Sequence, residues 1–229
     1  MKPALHVVAG VLSDAKGRVL IAQRPRGTHL AGGWEFPGGK LQAGEERAVG
    51  LARELREEIG VEVRHCRPLL RLHHEYPDRD IDLDVWRVDT FSGEPQGLDG
   101  QALRWCSLAD LPRAQLLPAD VPVITALRLP ERMTALRGDG HEVLACEEFA
   151  GGGLPPRQPS GERLRGALCA SLRQARTAAA GGAEFIVFTL PQPPVELAAA
   201  CRLLNLPVFA SGLELSAAQA AGAIGISQL

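Results

Sequence analysis

From Gly38 to Val61 the chain reads GGKLQAGEERAVGLARELREEIGV, in which Gly39, Glu45, Arg53, Glu54, Glu57, Glu58 and Gly60 stand at fixed offsets beside apolar Leu55 and Val61. On a helix, positions three and four apart share a face, so Glu54, Glu57 and Glu58 project together with Arg53 to one side. Three carboxylates so close repel one another, and without a cation at least one of their pKa values must rise. Helix stability asks for nothing of the kind. Hard divalent ions such as Mg²⁺ bind through a few carboxylates together with waters and substrate phosphates, so this spacing suits metal-assisted attack on a diphosphate or triphosphate. Most Glu-rich helix faces are solvated stripes, but the surrounding frame argues otherwise here. Gly38 and Gly39 follow Pro37, where backbone without Cβ can turn sharply and bring a carbonyl close to a ligand, and Gly60 stands where a helix C-cap is expected. With typical usages of about 7% per residue type, the pattern would arise by chance at roughly one start position in 10⁹.

These residues resemble the signature of the Nudix hydrolase family, and the similarity runs from residue 3 to residue 130, which look like a MutT-type member. The carrying pieces are RPRGTHLAGGWEFPGGK from Arg24 to Lys40, EYPDRDIDLDVW from Glu75 to Trp86, SGEPQGLDGQALRW from Ser92 to Trp105 and LPADVPVI from Leu117 to Ile124. The resemblance implies an α/β/α sandwich with a mixed sheet, and hydrolysis of a nucleoside diphosphate linked to a leaving group, assisted by Mg²⁺ with Mn²⁺ as the alternative ion. Carried over position by position, it puts the metal on the Gly38 carbonyl and on Glu54, Glu57 and Glu58, with Arg53 and Glu45 paired to orient the cluster. Asp99 stands in the Gly97–Gly100 loop where such enzymes carry an acidic residue, usually Glu; direct metal contact and general base both stay open for it, as does a plain Asp-Gly turn. Lys40 is placed to add positive charge near the phosphates, although most lysines are simply exposed.

For the substrate, the resemblance implies a pocket lined or supported by Arg24, His29, Phe36, Asp78, Arg79 and Asp120. The MutT type implies attack at the β-phosphorus of 8-oxo-dGTP, giving 8-oxo-dGMP and pyrophosphate, an activity that sanitises the nucleotide pool and protects replication fidelity and DNA repair. Asp120 departs from the Asn common in bacterial enzymes of this kind. An amide can donate to O6 and accept from N7–H, whereas ionised Asp only accepts and repels O6 unless burial keeps it protonated. Another nucleoside diphosphate derivative is therefore an alternative substrate, and a non-catalytic sensor is a third reading.

With 229 residues the chain exceeds the usual single-domain size of about 100 to 150. The expectation is a Nudix domain over 1–131, a Gly/Pro-rich linker over 132–160 and a βα region over 161–229. In the last, Leu164–Ala180 reads as an Ala-rich helix, Phe185–Leu190 as a strand, Val195–Leu204 as a helix, Leu206–Ala210 as a strand, Ser216–Ala221 as a helix and Ala223–Ile226 as a strand. That alternation argues for a parallel sheet. The pieces Gly182–Phe185, Pro207–Gly212 and Ala221–Ile226 weakly resemble the second half of thiamine phosphate synthase barrels, which makes the region half-barrel-like. A complete barrel needs about 200 residues or more, so open sheet edges and uncovered apolar faces are expected, and the region must pack on the Nudix domain, pair with another copy or remain partly unfolded. A sensor reading would have this region bind a thiamine-type phosphate.

The remaining features mostly exclude. A net charge of -2 and pI near 6.3 lack the basic face of nucleic-acid binders, so the expected partner is a nucleoside triphosphate and not DNA or RNA. Five scattered cysteines without CxxC spacing indicate neither a zinc site nor a disulfide framework, and a reducing cytoplasm is expected. Leu5–Leu12 reads as a first strand and not a signal peptide, and no run approaches the roughly 20 apolar residues of a membrane span. His73 and His74, adjacent in an expected strand, point to opposite faces and are not expected to share a metal. A monomer or weak homodimer is expected.

Overall fold

The computed structural model describes residues 4–111, 114–138, 140–149 and 163–229. Contacts divide the chain into two units, Met1–Leu69 with His73–Ile124 and Leu70–Leu72 with Thr125–Leu229. The first contains β1 (Ala4–Leu12), β2 (Val19–Gln23), β3 (Trp34–Glu35), β4 (Gly38–Lys40), α1 (Arg47–Ile59), β5 (Glu62–Glu75), β6 (Asp80–Ser92) and β7 (Leu103–Cys106), and α2 (Val121–Arg128) crosses from it into the second. One sheet has the order β4-β1-β6-β5, with β1 parallel to β6 and antiparallel to β4; the other, β3-β2-β7, is antiparallel. The sheet is therefore mixed, as the resemblance implies.

The helix α1 is fixed at both ends by its own sequence. The Glu46 carboxylate accepts from Val49 N–H at its start, which satisfies one of the donors a helix leaves open. Gly60 closes it in the left-handed region at φ 70°, the conformation a glycine C-cap adopts without strain. Leu51, Leu55 and Ile59, spaced by four, lie fully buried against Val8, Leu12, Trp86 and Val88 of the sheet. Gly10 makes that contact possible, because a Cβ there would meet Leu55 and Leu51. With one face so committed, Glu58 and Glu54 fall on its flank, half-buried, and Glu57 on the exposed side.

The second unit carries β8 (Arg132–Met133), β9 (Arg137–Gly138), β10 (His141–Ala145), β11 (Leu164–Cys169), α3 (Leu172–Ala180), β12 (Phe185–Phe188), α4 (Pro194–Leu204), β13 (Val208–Ser211), α5 (Leu215–Ala220) and β14 (Gly225–Ser227). Its seven strands run β8-β14-β13-β12-β11-β10-β9, all neighbours parallel except the β9–β10 pair. Laid flat, seven strands at about 4.8 Å spacing would separate the outer two by about 29 Å. The four residue steps from Met133 to Arg137 reach at most about 14 Å, so the sheet must curl until its edges approach. One face packs on the three helices through Ala167, Cys169, Ile186, Phe188 and Val208; on the other, Phe185 meets Phe209 edge to face at 6.0 Å.

Three expectations for this unit change. The described part of the expected linker is sheet, since β8, β9 and β10 lie within residues 132–145; the glycines there serve tight turns between very short strands, and residues 150–160 lie outside the described residues. The first half of the expected helix 164–180 is the strand β11, buried on both sides, in which Gly166 leaves room for the Phe185 ring. Ser171 then caps α3 by accepting from Gln174 N–H. The edges expected to lie open are drawn together by the curl. Among the described residues no helix is long and apolar enough to cross a membrane, and the five cysteines are unpaired.

Replacing Leu55 by Ala, in a position that allows little collapse, is expected to remove about 2–5 kcal/mol from the first unit. Urea unfolding followed by tryptophan fluorescence measures it, with two transitions allowed because the chain has two units.

Candidate active site

The short strand β4 begins the site. Gly38 sits at φ 152°, and a Cβ there would run into the Val8 carbonyl; Gly39 lies against the Glu54 carboxylate with equally little room. Bare backbone is what lets this strand pass between β1 and the acidic face of α1. The Gly38 N–H in turn donates to Glu58 Oε2 at 3.1 Å.

Arg53 organises the carboxylates around it. Its Nε and Nη2 donate to the two oxygens of Glu45 at 2.8 Å each, its Nη1 to Glu54 at 2.8 Å and to Glu57 at 3.1 Å, and Nη2 also to the Lys40 carbonyl at 3.2 Å. The paired hydrogen bond from Arg53, helped by Gln42 N–H, holds the Glu45 carboxyl down at about 2. Glu54 is 13% exposed and Glu57 56% exposed, so the cluster grades from interior to solvent along one helix turn. Glu58 is different. Burial, opposed by the Gly38 hydrogen bond and reinforced by the charges of Glu35, Glu54 and Asp99, pushes its carboxyl up to about 7. Asp99 owes its position to Gln101, whose amide donates to the Glu58 carbonyl and whose oxygen accepts from Asp99 N–H; Leu98 N–H bonds that same carbonyl. The loop is thereby docked on the C-terminal turn of α1. Among the described residues, no three His, Cys, Asp or Glu side chains already converge as a metal cage, because Arg53 draws Glu54 and Glu57 while Gly38 draws Glu58.

A cavity of about 230 Å³ extends from this cluster, with Glu58, Gly38, Gly39 and Lys40 at one part of its wall and Arg24, His29, Glu35, Phe36, Tyr76, Arg79 and Asp120 elsewhere on it. Of the substrate residues expected from sequence, only Asp78 is not on the wall; it stands outside, bound by Arg79 at 2.8 Å and 3.3 Å from His29 Nδ1. The Arg79 hydrogen bond lowers the Asp78 carboxyl below its ordinary range. Phe36 is buried and still contributes a wall. His29 is fixed by packing edge-on to Tyr76 at 5.4 Å, while its carbonyl accepts from Arg24 Nε, and its Nε2 is buried with no hydrogen-bond partner.

Two residues of this wall escape the sequence reading. Glu35 accepts from Arg24 Nη1 at 2.7 and 3.0 Å, and burial raises its carboxyl despite that partner. Tyr76, the chain's single tyrosine, accepts from Ala119 N–H through its hydroxyl at 3.3 Å and so fixes the 3₁₀ turn Pro118–Asp120 that presents Asp120. Its uniqueness was the one available signal. Asp120 itself is 4% exposed. Burial, aided by the charge of Glu35 and only partly offset by Arg24 and the Phe36 N–H, raises its carboxyl well above the ordinary value. The raised pKa favours the protonated carboxyl, the form in which Asp can donate as well as accept.

A family model described as NUDIX domain matches residues 8–126. Over 124 residues the chain is 37% identical to the 8-oxo-dGTP diphosphatase of Escherichia coli (strain K12), a span covering 54% of this chain and 96% of that protein. It is 46% identical over 93 residues to the 8-oxo-dGTP diphosphatase of Proteus vulgaris, covering 41% and 83% respectively. The CTP pyrophosphohydrolase of Escherichia coli (strain K12) is 39% identical over 122 residues, covering 53% and 90%. The glycines of β4, the Arg53-centred carboxylates of α1 and the cavity beside them thus lie in a segment that makes this chain a member of the NUDIX domain family, a Nudix hydrolase.

Proposed function

We propose that the first unit hydrolyses 8-oxo-dGTP to 8-oxo-dGMP and pyrophosphate, with Mg²⁺ held by Glu54, Glu57, Glu58 and the Gly38 carbonyl. The observation that carries the reading is one cavity that joins the carboxylate cluster to a buried Asp120. The donor set fits a hard cation, since all its atoms are oxygens, and the charges of Glu35, Glu54 and Asp99, which add to burial in raising Glu58, are the kind a divalent ion offsets. Two of the named relatives carry the same activity in their names.

In the reaction, water adds to the β-phosphorus, the bond from that phosphorus to the α–β bridging oxygen breaks, and the monophosphate leaves. Bound divalent cation supplies positive charge to the phosphate oxygens and lowers the pKa of the attacking water. Glu54, kept in place by Arg53, takes the water's proton; Asp99 approaches from the docked loop and supports the same water. Lys40 and Arg24 add positive charge to the wall of the cavity, and Glu45 acts only through Arg53. At the base, the Asp120 hydroxyl donates to O6 and its carbonyl oxygen accepts from N7–H. Guanine has a bare N7 and meets that oxygen with a lone pair, so dGTP is disfavoured. The same donor and acceptor also match N3 and N4–H of cytosine, and the relative named as a CTP pyrophosphohydrolase makes CTP the second reading.

Glu54→Gln is expected to slow pyrophosphate release by about 10²–10⁴-fold, the range for a positioned general base, in an assay of 8-oxo-dGTP, dGTP and CTP with Mg²⁺. An unaltered rate takes Glu54 out of the chemistry, and preference for CTP transfers the function to the second reading. Glu45→Gln, which breaks the support of Arg53 without touching substrate, is expected to cost about 10–100-fold, as loss of an orienting partner does, in kcat more than in KM.

A pH profile tests Asp120. Its folded-state pKa is raised, so the donor is lost as pH rises through that raised value; kcat/KM for 8-oxo-dGTP should fall relative to dGTP there. Asp120→Asn should stay level over the same range. Stability has the same sign: the folded state holds a proton that the unfolded chain has released above about 3.8, so the wild type loses stability as pH rises over that window and the Asn variant does not. Parallel profiles for the two proteins would show that Asp120 does not act as an acid.

A further inference from the structure

The second unit holds a cavity of its own, about 430 Å³ in volume, within the range of small-molecule sites, and the hydrolytic chemistry makes no use of it. Arg132, Thr134, Gly138 and His141 line it, with Leu129 and Ala135 among its apolar walls. Arg132 is the first residue of β8 and His141 the first of β10. The cavity is thus bordered by the first residues of β8 and β10, two strands that run in the same direction.

His141 points to a ligand. It is 7% exposed, and both ring nitrogens are buried without a hydrogen-bond partner. Its ring stands edge-on to Phe185 at 6.4 Å and faces Gly138, its partner in the β9–β10 register, where a Cβ would collide with the ring. Glycine thus gives the buried imidazole room to lie against β9 in the cavity wall. Buried polar groups are nearly always hydrogen-bonded, and one that is not calls for a water, an ion or a ligand. Imidazole carries an N–H in either protonation state, guanidinium only donates, and the Thr134 hydroxyl can donate. Among the described residues no carboxylate lines the cavity. A donor-rich, positively charged wall suits a phosphate group, and the volume with its apolar walls leaves room for an organic remainder.

We propose that this cavity binds the phosphate of a small phosphomonoester, with Arg132 and His141 as its donors. The inference is independent of the nucleotide reading. Calorimetric titration of the full chain in EDTA, which keeps divalent ions from the carboxylate cluster, tests it with ribose 5-phosphate, inorganic phosphate and ribose. Expected are binding of ribose 5-phosphate, weaker binding of phosphate and none of ribose, with affinity at least 10-fold lower in Arg132→Gln and in His141→Leu, and unchanged in Asp120→Asn. Arg132 is exposed at the surface, so its variant decides the matter if the His141 variant does not fold. No binding at millimolar ligand, binding that survives Arg132→Gln, or phosphate binding as tightly as the ester would each overturn the proposal.

Discussion

Arg53 uses every N–H it has. Its five donors go to both oxygens of Glu45, to Glu54, to Glu57 and to the Lys40 carbonyl, so one planar group ties the N-terminal approach to α1, one turn of that helix and the glycine strand β4 into a single geometry. Lysine could not substitute, because a point charge with three rotating donors lacks the fixed fork. The need for this tie comes from the glutamates themselves. Carboxylates placed on one helix face repel, and only a group that satisfies several of them at once, while leaving oxygens over for another cation, can hold them ready.

The packing beneath serves the same end. A helix that buried fewer than Leu51, Leu55 and Ile59 would be free to rotate about its axis, and a small rotation would carry Glu54 away from Gly39. Gly10 and Gly39 fix the distance from both sides: one lets the apolar face of α1 approach β1, the other lets the acidic face approach β4. Precision at the site therefore derives from missing side chains as much as from present ones.

This explains what could be read in the sequence. The α1 segment was legible from end to end, because its carboxylates, its apolar stripe and its capping glycine are all local and periodic. Arg24, His29 and Phe36 were placed only through the family resemblance, and Glu35 and Tyr76 were missed, since their roles are contacts with Arg24 and with Ala119, 11 and 43 positions away. In the second unit, β8 and β9 are two residues each, too short to leave an alternating pattern. The strand β11 was mistaken for helix because Leu, Ala and Gly carry no β-branched signal, and only its burial on both sides distinguishes it.

The half-buried Glu58 and the buried Asp120 line the same cavity, and the same cause acts on both. Desolvation lifts Glu58 and lifts Asp120, yet the proposed chemistry needs the first to lose its proton and the second to keep it. Their neighbours separate them. Glu58 lies within reach of Glu54 and Asp99, so the negative charge around it is the kind a divalent ion cancels. Asp120 has Glu35 as its main charged neighbour against it and Arg24 only in part for it, Arg24 being already engaged by Glu35. An ionised Asp120 would thus face a carboxylate whose counter-charge is spoken for. Burial is the larger cause for Asp120, and Glu35, which sequence reasoning passed over, adds to it through its own charge and by engaging the Arg24 guanidinium that acts the other way.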